Sequence, residues 1–322
     1  MFWDMVTLRA ATTHTTMIFF GDRGIPASYR KMHGFGTNTY AFVNAEANSS
    51  IASFTMKCST AIENLTSEEA QRIAGIDPDY HTRDLYNAIE NGDYPAWNMY
   101  VQIMTPEQAT ASPYDPFDDT KVWLRSEYPL IPVGRFVLNK NPNNYFAQIE
   151  QIGFDPAHLV PGIEPSPDRM LQGRLFAYGD THRYRLGPNY LQFPVNRPFK
   201  VTNFSRDGDA TYHSQGGSPN YHPNSFGGPE VITWLPHVPY GTKGEAKRVD
   251  NGNDDNFTQP RMLYQRVMKP DERGRLIQNI VSWLKPTRVD LQERAIQMFS
   301  NVDADLGQRI KAGLNTSQYV QL

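Results

Sequence analysis

The chain has 322 residues, a formal net charge of −3 and one cysteine. This length allows a large hydrophobic core and more than one structural unit. The balance of 31 basic and 34 acidic residues excludes the basic surface typical of proteins that bind nucleic acid or anionic membranes. No stretch has the apolar length of a transmembrane helix, and the first residues do not resemble a secretory signal. The lone Cys58 fits a reducing compartment, so we expect an intracellular protein.

The first 140 residues are predicted to form strands with helical insertions. Strands are expected at 40–45, 51–58 and 97–103, and the last alternates apolar and polar residues. Thr66 and Glu69 form a capping box that predicts a short helix ending near Gly75. A second helix is predicted at 79–90, stopped near Gly92. The alternation predicts that one face of the third strand carries Trp97, Met99, Val101 and Ile103.

The remaining residues divide into two predicted regions. Residues 141–257 are rich in Pro, Gly and Asn, and an ordinary loop of that length is improbable in a compact domain. We therefore expect an extended segment that wraps around other structure, interrupted by one helix. Residues 258–322 return to helical spacing. Two apolar stripes are expected there, at Leu276, Ile280 and Leu284 and at Leu291, Ala295 and Met298.

The helix predicted within 141–257 carries the run RLFAYGDTHRYR at 174–185. Ser166 suits its N-cap, Pro167 its first turn and Asp168 the positive end of its dipole. At about 100° per residue, four polar side chains share one face, which is a narrow stripe of about 80°. A cation beside a phenol favours the phenolate, which is a hard ligand suited to ferric iron. The same spacing is also typical of a solvated helix face, and spacing alone leaves both interpretations open. The four residues are Arg174, Tyr178, His182 and Arg185.

This run and several others resemble the haem catalases, and most closely the small-subunit animal type. The resemblance implies an α+β fold: part of a catalase-like antiparallel β-barrel, then the long wrapping segment and a C-terminal helical region. The strings that carry it are DRGIP at 22–26, YPLIPVG at 128–134, NYFAQIEQIGFDP at 144–156, PGIEPSPDRMLQGRLFAYGDTH at 161–182, QGGSPNYHPNSF at 215–226 and DDNFTQPR at 254–261.

The resemblance implies a catalytic site built on haem b. Tyr178 would be the phenolate ligand of the iron, and Arg174 would keep it deprotonated. His182 and Arg185 would hold haem through hydrogen bonds and contacts with its carboxylates. Phe154 and Met170 would line the haem face. The implied reaction converts hydrogen peroxide to water and dioxygen.

Many animal-type catalases also bind NADPH at a surface site. The resemblance places that site at His14, Arg23, Lys57, Val122 and Trp123. Two departures leave NADPH binding open, because Thr55 and Arg125 replace histidines of the family.

Three departures lie near the expected haem. Gly179 follows the ligand tyrosine where the family usually has proline. Asn38 stands where a histidine is usual, and Asp119 where leucine is usual. A buried aspartate is costly without hydrogen-bond partners.

In the family, a distal histidine motif and a distal asparagine motif precede the FWD segment, which is at residues 2–4 here. These 322 residues contain neither motif, so we expect that an N-terminal part is missing and that activity of this chain alone is doubtful. The alternative function is an inactive haem-binding or assembly remnant of a catalase. The resemblance further implies a homotetramer in the peroxisome or the cytoplasm.

Overall fold

The computed structural model describes residues 1–199, 208–214, 216–228, 230 and 254–315. The helices are α1 Phe2–Leu8, α2 Thr13–Phe20, α3 Ser67–Ile76, α4 Tyr80–Glu90, α5 Pro106–Ala111, α6 Arg169–Arg185, α7 Thr258–Met262, α8 Pro270–Leu284, α9 Val289–Val302 and α10 Ala304–Asn315. The strands are β1 Gly34–Phe35, β2 Tyr40–Val43, β3 Ser49–Cys58, β4 Ala96–Met104, β5 Ile131–Val137 and β6 Ile163–Pro165. Short 3-10 turns lie at Ala10–Thr12, Asp22–Gly24, Tyr29–Lys31 and Tyr190–Gln192, and π-helical turns at Phe146–Glu150 and Leu263–Val267.

The strands form one antiparallel sheet in the order β5-β4-β3-β2-β6, with β1 paired to β3. Its centre is the long β3–β4 ladder, which runs from the pair Ile51 and Met104 to the pair Cys58 and Trp97. The α+β class and the three predicted strands are confirmed. Strand β6 was not expected, because it lies in the segment predicted to wrap around the fold. It pairs with β2 instead and so belongs to the sheet.

The predicted alternation along β4 is wrong at its end. Gln102 is buried, whereas Ile103 is 36% exposed. The cause is the loop after α5, which covers the face expected to be polar. The Gln102 side chain donates to the carbonyls of Trp123, at 3.2 Å, and Tyr128, at 2.6 Å, and Trp123 packs against Met104. The face of the sheet that carries Gln102 is therefore covered here, while Ile103 on the other face is exposed.

The capping box predicted for α3 is confirmed. The Thr66 hydroxyl accepts from the Glu69 N–H, and the Glu69 carboxylate accepts from the Thr66 N–H. The helix passes through Gly75 and ends at Ile76. Helix α4 ends at Glu90, near the predicted stop. Gly92 has a φ of +79°, a left-handed conformation that favours glycine.

The C-terminal helices build the larger core. Leu276, Ile280 and Leu284 are each fully buried, which confirms the first predicted stripe. Ala295 and Met298 of the second stripe are also buried. The core includes residues from the N-terminal helices α1 and α2, so the two ends of the described chain pack together. Its members are Trp3, Val6, Met17, Phe20, Leu263, Tyr264, Leu276, Ile277, Ile280, Leu284, Ala295, Met298, Phe299, Val302, Leu306, Ile310 and Leu314.

The predicted division at residues 140 and 257 stays a prediction. In the structure, residues 2–20 pack against the C-terminal helices. Trp3 stacks on Phe20 with ring centroids 5.2 Å apart, and the Trp3 indole N–H donates to the Trp283 carbonyl at 3.2 Å. Among the described residues, no helix is both long enough and apolar enough to cross a bilayer.

We expect Ile280→Ala to lower the free energy of unfolding by about 2–5 kcal/mol, because it leaves a cavity in a fully buried site. Chemical denaturation would measure this loss. Val289→Ala is the matched control, since Val289 is 62% exposed on the first turn of α9, and its effect should stay within about 0.5 kcal/mol. Equal effects of the two substitutions would contradict this assignment of the core.

Candidate active site

The pairing of β2 with β6 brings together two segments that are far apart in the sequence. Tyr40 lies opposite Pro165 in an antiparallel register, so the residues before β2 meet those after β6. The Ser166 hydroxyl donates to the Thr39 carbonyl at 2.7 Å. Gly36 supports the turn before β2, because its N–H donates to Phe54 at 2.8 Å and an added Cβ would lie 3.2 Å from the same carbonyl oxygen.

Asp168, and not Ser166, caps helix α6, which corrects the predicted N-cap. One carboxylate oxygen of Asp168 accepts from the Leu171 N–H at 2.9 Å. The other accepts from the Thr39 N–H at 3.1 Å. Ser166 accepts instead from the Asp168 N–H at 3.2 Å. The reason is a tertiary contact, because the Ser166 hydroxyl donates to the Thr39 carbonyl and so joins the start of α6 to the turn before β2.

The predicted stripe on α6 is present, and its first two members form a close pair. Arg174 donates through Nη2 to the Tyr178 hydroxyl at 2.6 Å, and its guanidinium carbon lies 4.9 Å from the centroid of the Tyr178 ring. The rings of Tyr178 and His182 meet edge to face, with centroids 6.0 Å apart. A guanidinium is thus fixed at the phenol oxygen of Tyr178.

His182 and Arg185 fasten the helix to residues 150–154. The Nε2 atom of His182 lies 2.7 Å from the Phe154 carbonyl. Arg185 donates to the carbonyls of Glu150 and Ile152 at 2.8 and 2.7 Å. These contacts use protein groups, so the predicted role of both side chains in holding haem carboxylates stays a prediction. They set the position of the wall that faces Tyr178.

A cavity of about 580 Å³ opens beside this wall, within the range of about 300–1,000 Å³ typical of ligand sites. Phe154 lines it and is 75% exposed, and its predicted role at the haem face stays a prediction. Met170 is 59% exposed on the first turn of α6 but is not among the lining residues. The full lining is Tyr145, Ile149, Glu150, Ile152, Phe154, Tyr178, His182 and Arg185.

Four of these lining residues were not predicted from the sequence: Tyr145, Ile149, Glu150 and Ile152. They lie in the NYFAQIEQIGFDP string, and its resemblance to the catalases was the sequence signal that could have identified them. A larger cavity of about 720 Å³ is lined by residues between 109 and 121 and by Asp254 and Asp255. We assign the site to the smaller cavity, because it alone of these two contains residues of the stripe.

Two departures from the family pattern, Asn38 and Asp119, are in contact. The Asn38 amide nitrogen donates to both carboxylate oxygens of Asp119, at 3.3 and 3.2 Å, and to Asp168 at 3.1 Å. Its amide oxygen accepts from the Nη1 atom of Arg174. Asn38 is buried, with 3% of its surface exposed. One amide therefore links two carboxylates to the guanidinium that holds the Tyr178 hydroxyl.

The pKa of Asp119 is raised from 3.8 to about 6. Burial is the largest cause, followed by the charges of Asp168 and Asp118, while Arg174 opposes the rise. A hydrogen bond with Asp168 also favours the protonated form. A raised pKa is the direction expected from the energetic cost of burying an aspartate at this position.

The predicted NADPH positions lie among several positive charges. His14 has a lowered pKa, through burial first and then the charges of Lys121 and Arg23. The pKa of Lys57 is lowered by burial and then by Arg125. Val122 is 47% exposed.

Trp123, another position implied for NADPH, is largely buried. The side chain is 8% exposed, and its indole N–H donates to the Pro116 carbonyl at 3.2 Å. The reason is that the ring fills the small core beside β3 and β4.

Comparison with known proteins agrees with this fold. Residues 1–228 match the family model described as Catalase, and residues 250–314 match the model described as Catalase-related immune-responsive. The catalase of Mus musculus is 50% identical over 318 residues, which are 98% of this chain and 60% of the relative. The catalase of Drosophila melanogaster is 48% identical over 324 residues, 99% of this chain and 64% of the relative.

Solved catalases have the same fold. A fungal catalase superposes with a TM-score of 0.92 at 40% identity, covering 98% of this chain and 66% of that one. Catalase A from Saccharomyces cerevisiae gives 0.91 at 40% identity, covering 97% and 67%. The chain belongs to the catalase family. It is about half identical to animal catalases and spans about 60% of the length of the first curated relatives.

The raised pKa of Asp119 makes stability depend on pH. The folded protein holds this proton more tightly than the unfolded chain, so the stabilisation is complete below about pH 4 and is lost as pH rises through about 6. We expect Asp119→Asn, which stays neutral, to exceed the parent by about 1–3 kcal/mol at about pH 7.5 and to match it near pH 4.

Denaturant titrations at both pH values would measure this difference. Asp115→Asn is the matched control on the same loop, because Asp115 is exposed and accepts a local bond from the Phe117 N–H at 2.9 Å. A gain for Asp119→Asn that is equal at both pH values would contradict the pKa assignment.

Proposed function

We propose that this chain forms the iron-ligating side of a catalase that decomposes hydrogen peroxide to water and dioxygen at ferric haem b. The observation that carries the proposal is the Arg174–Tyr178 pair, with 2.6 Å between the guanidinium nitrogen and the phenol oxygen, where Tyr178 lines the open cavity. A fixed cation beside an accessible phenol is what a phenolate ligand of iron requires.

The residues around this pair fit a haem. Ile149, Ile152 and Phe154 give the cavity apolar walls, and an apolar wall suits a flat hydrophobic cofactor. An added Cβ at Gly173 meets no protein atom within 4 Å, so packing within the protein does not require a glycine there. That open space on α6 suits close approach of a macrocycle.

Bound ferric haem would supply the redox chemistry by which two hydrogen peroxide molecules become two waters and one dioxygen. Tyr178 would hold the iron through its phenol oxygen. Arg174 stays protonated at all relevant pH values, so it would favour the ionised phenol without exchanging a proton. Arg185 lines the same cavity, and its charge would attract a haem carboxylate.

The remaining properties of the whole protein are proposals from the family. The acid–base groups on the peroxide side would come from the distal motifs, which in the family precede the FWD segment. We also propose a homotetramer located inside the cell, in the peroxisome or the cytoplasm. The alternative, an inactive haem-binding remnant, differs in predicting haem binding without oxygen evolution.

NADPH is a second proposed ligand. Arg23 lowers the pKa of His14 and of His33, and Arg125 lowers that of His33 and of Lys57. Positive charges therefore share one region, as a nucleotide phosphate would require. Arg125 stands where the family has a histidine and adds to this charge.

We expect Tyr178→Phe to abolish the ferric-phenolate absorption of the haem-loaded protein, because the variant lacks the ligand oxygen. Haem titration followed by visible absorption and resonance Raman spectra would measure the loss. Tyr184→Phe is the matched control, since Tyr184 lies on the same helix and is 94% exposed. An unchanged spectrum of Tyr178→Phe would refute the ligand assignment.

We expect Arg174→Leu to make the ferric-phenolate spectrum more sensitive to acid. Removal of a close opposite charge should move the midpoint of acid loss to higher pH by about 1–3 units. A spectrophotometric pH titration would measure the shift. Arg183→Leu is the control on the exposed side of α6, and identical midpoints for the parent and Arg174→Leu would show that Arg174 has no such role.

A further inference from the structure

The amide of Asn38 has one possible orientation. Its oxygen faces the Arg174 guanidinium, which only donates, and its nitrogen faces the carboxylates of Asp119 and Asp168. Rotation of the amide by 180° would place donors against donors and acceptors against acceptors. A continuous series of hydrogen bonds therefore runs from Asp119 through Asn38 and Arg174 to Tyr178.

We propose that Asp119 is a positioning residue that acts through Asn38 and Arg174 to set how strongly Tyr178 donates to iron. The inference rests on the proposed function, because it assigns Tyr178 to the iron. Asp119 does not contact Tyr178 in this arrangement. Its charge reaches the phenol oxygen through two intermediate side chains.

Of the side chains in this series before Tyr178, Asp119 is the one whose charge changes in weak acid. An amide does not titrate, and arginine stays protonated. Asp119 ionises with a pKa of about 6. When it does, the cluster of Asp119, Asp168 and Arg174 gains one negative charge. The added negative charge attracts the Arg174 guanidinium and so weakens its hydrogen bond to the Tyr178 oxygen. The phenolate then donates more electron density to the iron.

The charged and titratable groups that face Asp119 come from three segments. Asp118 precedes it on the same loop, Asp168 lies before α6, and Arg174 lies on α6. Tyr40 on β2 faces Arg174 and Tyr178, and burial is the largest cause of its raised pKa. Tyr40 therefore stays neutral where Asp119 titrates. Asp118 is held by Lys121 at 3.3 Å.

The first experiment uses the full 322-residue chain without haem. Carboxyl carbons of aspartate are labelled with 13C, and the Asp119 signal is identified by its loss in Asp119→Asn. We expect it to titrate near pH 6 and to move to higher pH in Arg174→Leu, because Arg174 lowers the pKa of Asp119. An Asp119 signal that titrates near the ordinary value of 3.8 would overturn the inference without reference to iron.

The second experiment follows the phenolate-to-iron charge-transfer band of the haem-loaded chain against pH. We expect an inflection near pH 6 in the parent and in the control Asp115→Asn, and none in Asp119→Asn. Asn38→Leu should keep the Asp119 titration but lose more than about half of the spectral change, since the connecting hydrogen bonds are gone.

The outcomes separate the two proposals. A chain that binds haem but shows the same inflection in the parent and in Asp119→Asn overturns this inference alone. The inference alone is also overturned if the parent binds haem and its Asp119 carboxyl titrates, but the charge-transfer band shows no inflection. A ferric-phenolate spectrum that survives in Tyr178→Phe overturns the proposed function, and this inference with it.

Discussion

The buried carboxylate of Asp168 is the interaction on which the site depends. An ionised group that is fully buried costs several kcal/mol unless donors surround it. Asp168 is 0% exposed and accepts from the N–H groups of Thr39 and Leu171 and from the Asn38 amide. These donors come from two distant segments. They converge only when β2 and β6 keep their register, so the sheet fixes where α6 begins and hence where Tyr178 points.

Helix α6 is held mainly at its two ends. Only Leu171 and His182 are buried among its residues; the first lies beside the Asp168 cap, and the second contacts the Phe154 carbonyl. The middle of the helix leaves Tyr178 beside an open cavity with apolar walls. Exposed apolar surface of this kind is typical of binding sites. A firmly anchored helix with an open middle can present a ligand oxygen at a fixed position.

Features that depend on residues close together in the sequence could be predicted. The stripe at Leu276 and the capping box at Thr66 follow from helical spacing and end chemistry, and both are present. The burial of Gln102 and the short strand β6 escaped prediction, because each depends on a segment distant in the sequence. The four-residue stripe on α6 was visible in the sequence. The hydrogen bonds from Arg185 to residues 150–152 were not, because they depend on the tertiary structure.

The contact between Asn38 and Asp119 could not be predicted for the same reason, since 81 positions separate them. Taken singly, each departure from the family resembles a loss: a neutral amide replaces an ionisable ring, and a carboxylate replaces an apolar side chain. The structure shows that each supplies the partner that the other needs. The amide nitrogen gains a second acceptor, and the Asp119 carboxylate gains a donor. Changing either alone would leave a buried polar group without this partner, so the two positions must be energetically coupled. Their shared neighbour is Arg174, and the coupling therefore reaches the side chain that holds the Tyr178 oxygen.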